Sequence, residues 1–418
     1  MVLEFCQVLK YGSLISIFQC FYYFCKIFDK KNMIRRFLYP ELNFSLKKFP
    51  AVCITGPRQC GKTTLAKFYC SERKKEFIYL DLEKVEDFRR IQDPGLFFRD
   101  NRNRLIIIDE IQRKPDLFPE IRAEIDTDRR PGRFLILGSA SPDIILNTSE
   151  TLAGRIKYIN LHPFILKELK KPDVLKDLFF WGGFPNVVLD KNPQFRKDWL
   201  DNFIYTYLER DLPMLGLKAS PVQIRRLWEM LAYQSGNLLN SSSLGRSLGV
   251  SNHTVNAYMD YLEGAFMIYR IDPFERNTGK RIVRSKKVFM ADTGLLHRLL
   301  RIEDYDRLMS TQFAGHSWEN FVIIQILPLI RKNLDIWFYR THTGIEADLV
   351  LGKSLDPEIC IEVKLSSAPT LTRSFLTAID DLKTKNNFIV VPYGNKYRLR
   401  EDITVCNISD FMDMLISY

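Results

Sequence analysis

The chain has 418 residues, too many for one ordinary core, so two or three domains are expected. Apolar residues make up 46% and charged residues 27%, the profile of a soluble globular protein, with no low-complexity tract, charged tail or internal repeat. The formal charge of +11 exceeds what nucleotide binding alone needs and points to a polyanionic partner.

At the N-terminus, Leu14 to Phe28 is strongly apolar but shorter than the roughly 20 residues of a membrane span, and Gln19 and Lys26 interrupt it. No stable membrane span is therefore expected. Glu4 and the lack of a small-residue cleavage site argue against a secretory signal. Residues 1–32 read as an upstream extension, with an interfacial anchor as the rival reading. The eight cysteines (Cys6, Cys20, Cys25, Cys53, Cys60, Cys70, Cys360 and Cys406) form no C-x-x-C pair and have no histidine at ligand spacing. Zinc is thus disfavoured, and reduced thiols in a cytoplasmic protein are expected.

The next apolar run, Ala51 to Ile54, reads as a buried strand, and Leu65-Ala66-Lys67-Phe68 as the first turns of a helix. Between them lies Gly56-Pro57-Arg58-Gln59-Cys60-Gly61-Lys62-Thr63-Thr64, the G-x-x-x-x-G-K-[ST] pattern in the context it requires. Gly56 and Gly61 let main-chain N–H groups turn around a polyphosphate, and the helix N-terminus adds partial positive charge. Lys62 is expected to reach the β- and γ-phosphates of ATP, and Thr63 to place its hydroxyl on Mg²⁺.

Leu105-Ile106-Ile107-Ile108-Asp109-Glu110 reads as a fully buried parallel strand ending in two acids. Asp109 is expected to hold Mg²⁺, and Glu110 to accept a proton from the attacking water or orient it. Phe134-Leu135-Ile136-Leu137-Gly138-Ser139 is another such strand, with Ser139 suited to sense the γ-phosphate or the water. Phosphoryl transfer needs positive charge where negative charge develops. Arg155, after the flexible Gly154, is the candidate arginine finger, in cis or from a neighbouring subunit of a homo-oligomer; Arg129, Arg130 and Arg133 compete.

After Pro163 the pattern becomes helical. Trp199, Phe203 and Tyr207 recur at helical spacing and read as core rather than as a ligand box. Ser241 to Met259 has the outline of a helix-turn-helix: serine caps the first helix, Gly249 ends it, and Ser251 caps the second. Val255, Met259 and Leu262 face inward, and Asn252, His253 and Asn256 face outward, where amides read base edges. Cations follow at Arg276, Lys280, Arg281, Arg284, Lys286 and Lys287, as a wing gripping phosphates would require. DNA is the expected partner; docking of a protein is the competing reading.

In the C-terminal third, Glu319 lies on an apolar helix, and Asp348 leads into the strand Leu349-Val350-Leu351. Cys360-Ile361-Glu362-Val363-Lys364-Leu365 alternates, so Glu362 and Lys364 share one face. An ordered set of acid, acid and lysine on adjoining strands, with a helical Glu nearby, is the constellation of PD-(D/E)xK nucleases. Asp348 and Glu362 would hold Mg²⁺, Glu319 would add charge, and Lys364 would orient or deprotonate the water. Such domains also serve as binding platforms without cleavage.

Taken in order, Gly56 to Leu65, Ile108-Asp109-Glu110-Ile111-Gln112, Arg133 to Ser139, and Ala153-Gly154-Arg155 resemble the prokaryotic AAA-type ATPases that carry a C-terminal DUF4143 domain. The likeness continues through Asp292-Thr293-Gly294-Leu295, Trp318-Glu319-Asn320-Phe321, Glu346-Ala347-Asp348 and Ile361-Glu362-Val363-Lys364. It runs from about Met33, where members of that family begin, which makes Met33 the expected biological start. The expected fold is α/β: a P-loop NTPase parallel sheet at 33–165, a helical connector with a winged helix at 166–300, and a restriction-endonuclease-like α/β domain at 301–418. The expected function is ATP hydrolysis coupled to a DNA-associated C-terminal domain. An ATP-gated, Mg²⁺-dependent endonuclease and an ATP-dependent protein-binding switch are the alternatives.

Overall fold

The computed structural model describes residues 33–418 except 74–75, 143, 145–153, 170–173, 276–279 and 331–333. The N-terminal extension, Leu152 and Ala153 ahead of the finger candidate, and Arg276 of the basic flank lie outside the described residues.

Three aliphatic runs form strands buried at every position: β1 (Ala51–Thr55), β3 (Leu105–Asp109) and β4 (Phe134–Gly138). With β2 (Phe77–Asp81) and β5 (Ile156–Asn160) they make a five-stranded parallel sheet, ordered β2-β3-β4-β1-β5. A strand buried at every position must be covered on both faces. In β1, Val52 and Ile54 meet Leu65, Ala66 and Tyr69 of α1 (Lys62–Arg73). Ala51 and Cys53 point the other way, into the cluster built by Leu117, Phe118, Ile121 and Ile125 of α2 (Leu117–Thr127). Each buried aliphatic side chain there contributes about 1.5–3 kcal/mol. The order brings the C-terminal ends of β1, β4 and β3 side by side, and the site forms on that edge.

Helices follow: α3 (Val174–Trp181), α4 (Pro185–Leu189) and α5 (Pro193–Thr206), the last running into a π-helical turn at Tyr207–Asp211. Trp199 stacks on Phe203 at 5.4 Å and Phe203 on Tyr207 at 5.5 Å, inside the core as their spacing implied. After α6 (Pro221–Tyr233) come α7 (Ser241–Leu248) and α8 (Asn252–Gly264), joined by Gly249 at φ 68°. Ser251 caps α8 as expected, but the cap of α7 is Asn240, whose side chain accepts from Ser243 N at 2.9 Å. A two-stranded antiparallel ribbon, β6 (Ile268–Ile271) and β7 (Lys287–Met290), follows α8.

Asp292 then starts α9 (Thr293–Leu299), accepting from Leu295 N at 3.1 Å and reaching back to Gly183 N at 2.7 Å. His297 is buried there: its Nδ1–H donates to Phe180 O (2.7 Å), so its Nε2 accepts from Ser317 Oγ (2.6 Å). The C-terminal sheet has six strands, ordered β12-β13-β11-β10-β9-β8: β8 (Asp335–Arg340), β9 (Glu346–Lys353), β10 (Asp356–Val363), β11 (Asn386–Val391), β12 (Tyr397–Arg400) and β13 (Ile403–Asn407). Helices α10 (Phe313–Ile326) and α12 (Ile408–Ser417) cover one face, and α11 (Arg373–Leu382) covers the other. One core runs from Ile165 through the helical region to Leu415, so helices and C-terminal sheet are packed as one body. Among the described residues, no helix is long and apolar enough to cross a membrane.

Candidate functional site

The phosphate loop leaves β1 at Thr55 and enters α1 at Lys62. Gly56 has φ 152°, and a Cβ there would lie 2.1 Å from Leu161 O, so only glycine fits. Gln59 adopts φ 60° and Gly61 φ 99°, which turns the loop back on itself. Lys62 is buried, and its Nζ donates to Gly56 O (2.9 Å), Pro57 O (2.9 Å) and Ser139 Oγ (3.1 Å). The Cys60 thiol is held neutral: burial pushes it up, against the opposing pull of Lys62 and Arg36.

The acids stand beside this loop. Thr63 Oγ1 and Tyr79 OH both donate to Asp109 Oδ2 at 2.6 Å, and Asp109 Oδ1 accepts from Glu110 N at 3.0 Å. Two hard oxygens, Thr63 Oγ1 and Asp109 Oδ2, thus meet at one point, a donor set that fits Mg²⁺ completed by water and phosphate oxygens. Glu110 sits at φ 56°, a left-handed conformation that is costly for a side chain with a Cβ and is found at functional sites. Its Oε2 accepts from Ser139 Oγ at 3.1 Å and from the Gln112 amide, while Gln112 Oε1 accepts from Ser139 N at 3.3 Å. Lysine, acid and serine hydroxyl therefore converge without any intervening chain.

Four cations expected near the γ-phosphate are elsewhere. Arg155 O accepts from Ala51 N at the start of β1, the edge opposite the loop, and its guanidinium pairs with Asp126 at 2.8 Å. That separation is about 15 Å along a five-residue strand. Arg129 pairs with Asp126 (3.2 Å), Arg130 with Asp128 (2.7 Å), and buried Arg133 with Glu124 (3.0 Å), all near that same edge. None reaches the phosphate loop of its own chain, which corrects the expectation of a finger in cis from this set. Strand register decides the matter, and it is invisible in motif order.

Arg36, which motif spacing did not single out, ties the loop to its surroundings: it donates to Cys60 O (2.8 Å) and His162 O (2.5 Å) and pairs with Glu168 (3.0 Å). It also lines a cavity of about 940 Å³ with Ile34, Phe37, Pro40, Trp181, Val188 and Leu189, adjoining the loop at Gly61. Tyr79 and Gln112 were likewise missed. A tyrosine in an edge strand and a glutamine after Asp-Glu carry no spacing signal of their own.

Farther on, the loop after Ser139 touches α8: Ser141 N donates to Gly264 O at 2.6 Å, and Ile144 lies against Gly264. Of the outward residues of α8, Asn252 donates to Ser242 Oγ (3.0 Å) and Asn256 accepts from Ser241 Oγ (2.8 Å), so both amides clamp α8 to α7. His253 remains exposed.

The acids and lysine of the C-terminal sheet do come together. Ile361 pairs with Leu349, so Glu362 stands across from Asp348, and Val363 N donates to Asp348 Oδ2 at 2.7 Å. Lys364 Nζ contacts Glu362 Oε1 at 2.6 Å. The surprise is Lys287: instead of an exposed wing cation it is fully buried, 3.0 Å from Glu319 Oε1 and 2.8 Å from Glu346 Oε1. Burial pushes Glu319 up to about 8, with Lys287 opposing. It pushes Glu362 up to about 7, reinforced by Asp348. Among the described residues, no group of three or more Asp, Glu, His and Cys side chains is arranged to hold a metal ion. Of the other expected flank cations, Lys280 pairs with Asp381 (2.6 Å) and Lys286 with Asp272 (2.9 Å).

Comparison with known proteins gives three family matches along the chain: an AAA domain at residues 48–170, a domain of unknown function (DUF8612) at 172–306, and a domain of unknown function (DUF4143) at 314–411. An uncharacterized protein of Mycobacterium tuberculosis is 36% identical over 379 residues, covering 91% of this chain and 83% of the relative. An uncharacterized protein of Haemophilus influenzae is 26% identical over 333 residues, covering 71% and 79%. Among solved structures, the Walker-type ATPase PABY2304 of Pyrococcus abyssi is 15% identical with a TM-score of 0.46, covering 65% of this chain and 97% of that one.

Proposed function

The chain belongs to the family of AAA-type ATPases that carry a C-terminal DUF4143 domain, and from that premise we propose an ATP-hydrolysing switch whose nucleotide state controls contact with DNA. In this reading ATP lies along the phosphate loop, its adenosine in the cavity beside Arg36. Lys62 leaves its loop carbonyls for the β- and γ-phosphates. Thr63 and Asp109 would hold Mg²⁺, which would supply positive charge to neutralise the phosphates. Glu110 orients the attacking water and takes its proton, and Ser139 senses the γ-phosphate.

One observation carries the coupling: the loop two residues past Ser139 is hydrogen-bonded to the last residue of α8. A shift at Ser139 on ATP binding would therefore move the helix-turn-helix directly. Helices α7 and α8 with the β6–β7 ribbon fit a winged helix, and the formal charge of +11 favours a polyanion. With the two asparagines engaged inside the unit, α8 would contact DNA by shape and backbone rather than by amide readout of bases.

The test is fluorescence anisotropy of duplex DNA with a Glu110→Gln variant in ATP and in ADP. Salt-sensitive binding that differs several-fold between the two nucleotides is the expected result. No affinity in either state removes DNA from the scheme and leaves a protein partner. The nuclease reading draws on the Asp348–Glu362–Lys364 cluster, but a lysine already occupies its acidic surroundings. Plasmid incubated with Mg²⁺ or Mn²⁺ should stay intact; cleavage abolished by Asp348→Ala would restore that reading.

A further inference from the structure

Phosphoryl transfer to water forms a bond from the water oxygen to the γ-phosphorus and breaks the bond to the β,γ-bridging oxygen. The water's proton passes to Glu110, and ADP and inorganic phosphate leave. Negative charge grows on the γ-oxygens and the bridging oxygen, and a fixed cation there lowers the barrier. The four arginines considered above are held on the wrong edge of the sheet.

On the correct edge a small crevice is lined by Arg58, Gln112, Arg113, Ser139, Tyr207 and Asp211, among others. Arg58 is itself a phosphate-loop residue, and 17% of its side chain is exposed. Its two terminal nitrogens are forked between carboxylates: Nη1 bonds Asp211, and Nη2 lies 2.5 Å from Glu83. Asp211 closes the π-helical turn at Tyr207–Asp211, and such a bulge is a recurrent device at functional sites. The same turn is anchored on its other side, where Tyr207 OH donates to Ala265 O at 2.8 Å, next to Gly264. Arg113 and Arg210 are poorer candidates: Arg113 meets Met214 Sδ at 3.6 Å on the surface, and Arg210 is 54% exposed.

We infer that Arg58 is the catalytic cation for the γ-phosphate, acting within its own chain, with Asp211 and Glu83 presenting its planar fork until a triphosphate takes their place. The exchange is chemically matched, because a guanidinium binds carboxylate and phosphate oxygens with the same bidentate geometry. It also gives the helical region a second means of reading the nucleotide: when Arg58 turns to phosphate, Asp211 keeps Arg210 at 3.4 Å but the turn that holds Ala265 loses this tie to the phosphate loop. The inference rests on the ATPase reading of the site.

The experiment uses the full chain. For wild type, Arg58→Ala and Arg58→Lys, kcat is measured by phosphate release, and nucleotide affinity by titration with a fluorescent ATP analogue. Arg58→Ala should lose about 10³ in kcat while affinity changes less than tenfold, and Arg58→Lys should recover only part, since it lacks the fork. An equimolar mixture of Arg58→Ala with Lys62→Ala should stay inactive, because a cation acting in cis cannot be supplied by a neighbour. Either a kcat within threefold of wild type in Arg58→Ala or restored activity in the mixture overturns the assignment. Failure of the ATPase reading would look different: wild type itself would release no phosphate.

Discussion

Lys287 offers the sharpest test of how the C-terminal acids are used. Read from sequence, it belongs to a basic flank; in the structure its ammonium is buried between Glu319 at 3.0 Å and Glu346 at 2.8 Å. Replacing it with methionine keeps most of the volume but leaves a buried carboxylate at Glu319 without its cation, while Glu346 keeps Arg340 at 3.1 Å. Breaking a buried pair from one side costs about 3–5 kcal/mol. Burial already raises Glu319 to about 8 from 4.5, and without Lys287 it would rise further. A carboxyl whose folded pKa is raised binds its proton more tightly folded than unfolded. Folding is therefore penalised progressively as pH climbs from 4.5 through the raised value, and the variant's deficit should be smaller at pH 5 than at pH 8. Urea denaturation of wild type, Lys287→Met, Glu319→Gln and the double variant would measure this. The double variant should be more stable than the sum of the singles predicts, by about 1–3 kcal/mol. If Lys287→Met changed stability by less than about 0.5 kcal/mol and instead lowered DNA affinity with a shallower salt slope, the lysine would be a surface grip and the reasoning wrong.

Other substitutions probe the rest of the molecule. Glu110→Gln should lower kcat by about 10²–10⁴ while ATP still binds, as single-turnover and equilibrium titration would reveal; unchanged turnover would remove Glu110 from the water's path. Gly56→Ala forces a Cβ to 2.1 Å from Leu161 O at φ 152°, so nucleotide affinity should fall at least tenfold, by about 1.4 kcal/mol, in calorimetry. Burial lowers His297 from 6.5 to about 4. The stability this contributes is present above pH 6.5 and lost as pH falls through 4, by about 3 kcal/mol in all. Wild type should therefore lose more stability between pH 7.5 and pH 5 than His297→Gln does; equal losses would mean the imidazole protonates freely in place.

Much of the ATPase domain was legible because its signals are local. Four aliphatics followed by Asp109 and Glu110, or glycines at 56 and 61 before Lys62, fix both an element and its chemistry within a few residues. Their meeting in space follows from parallel strands that all end on one edge. Arg155 was misjudged in its cis form because its distance from the loop depends on which end of β5 it occupies, and register is a property of pairing rather than of order. Lys287 was misjudged for a related reason. A lysine in a run of cations is normally solvated, and only the packing of β7 against α10 and β9 puts it beside Glu319 and Glu346. Asp211 sits in a π-helical turn, a one-residue departure from helical spacing that periodicity cannot announce. The acids at 348 and 362 stand opposite each other because strand alternation has a period of two and their strands are neighbours.

Phosphate release from ATP and Mg²⁺ by the purified full chain, beside Lys62→Ala, tests the central claim most directly. Wild type should turn over, and the variant, stripped of the ammonium that now bonds Gly56 O, Pro57 O and Ser139 Oγ, should fall at least a hundredfold, about 2.7 kcal/mol of transition-state stabilisation. Equal turnover in the two proteins would contradict the account.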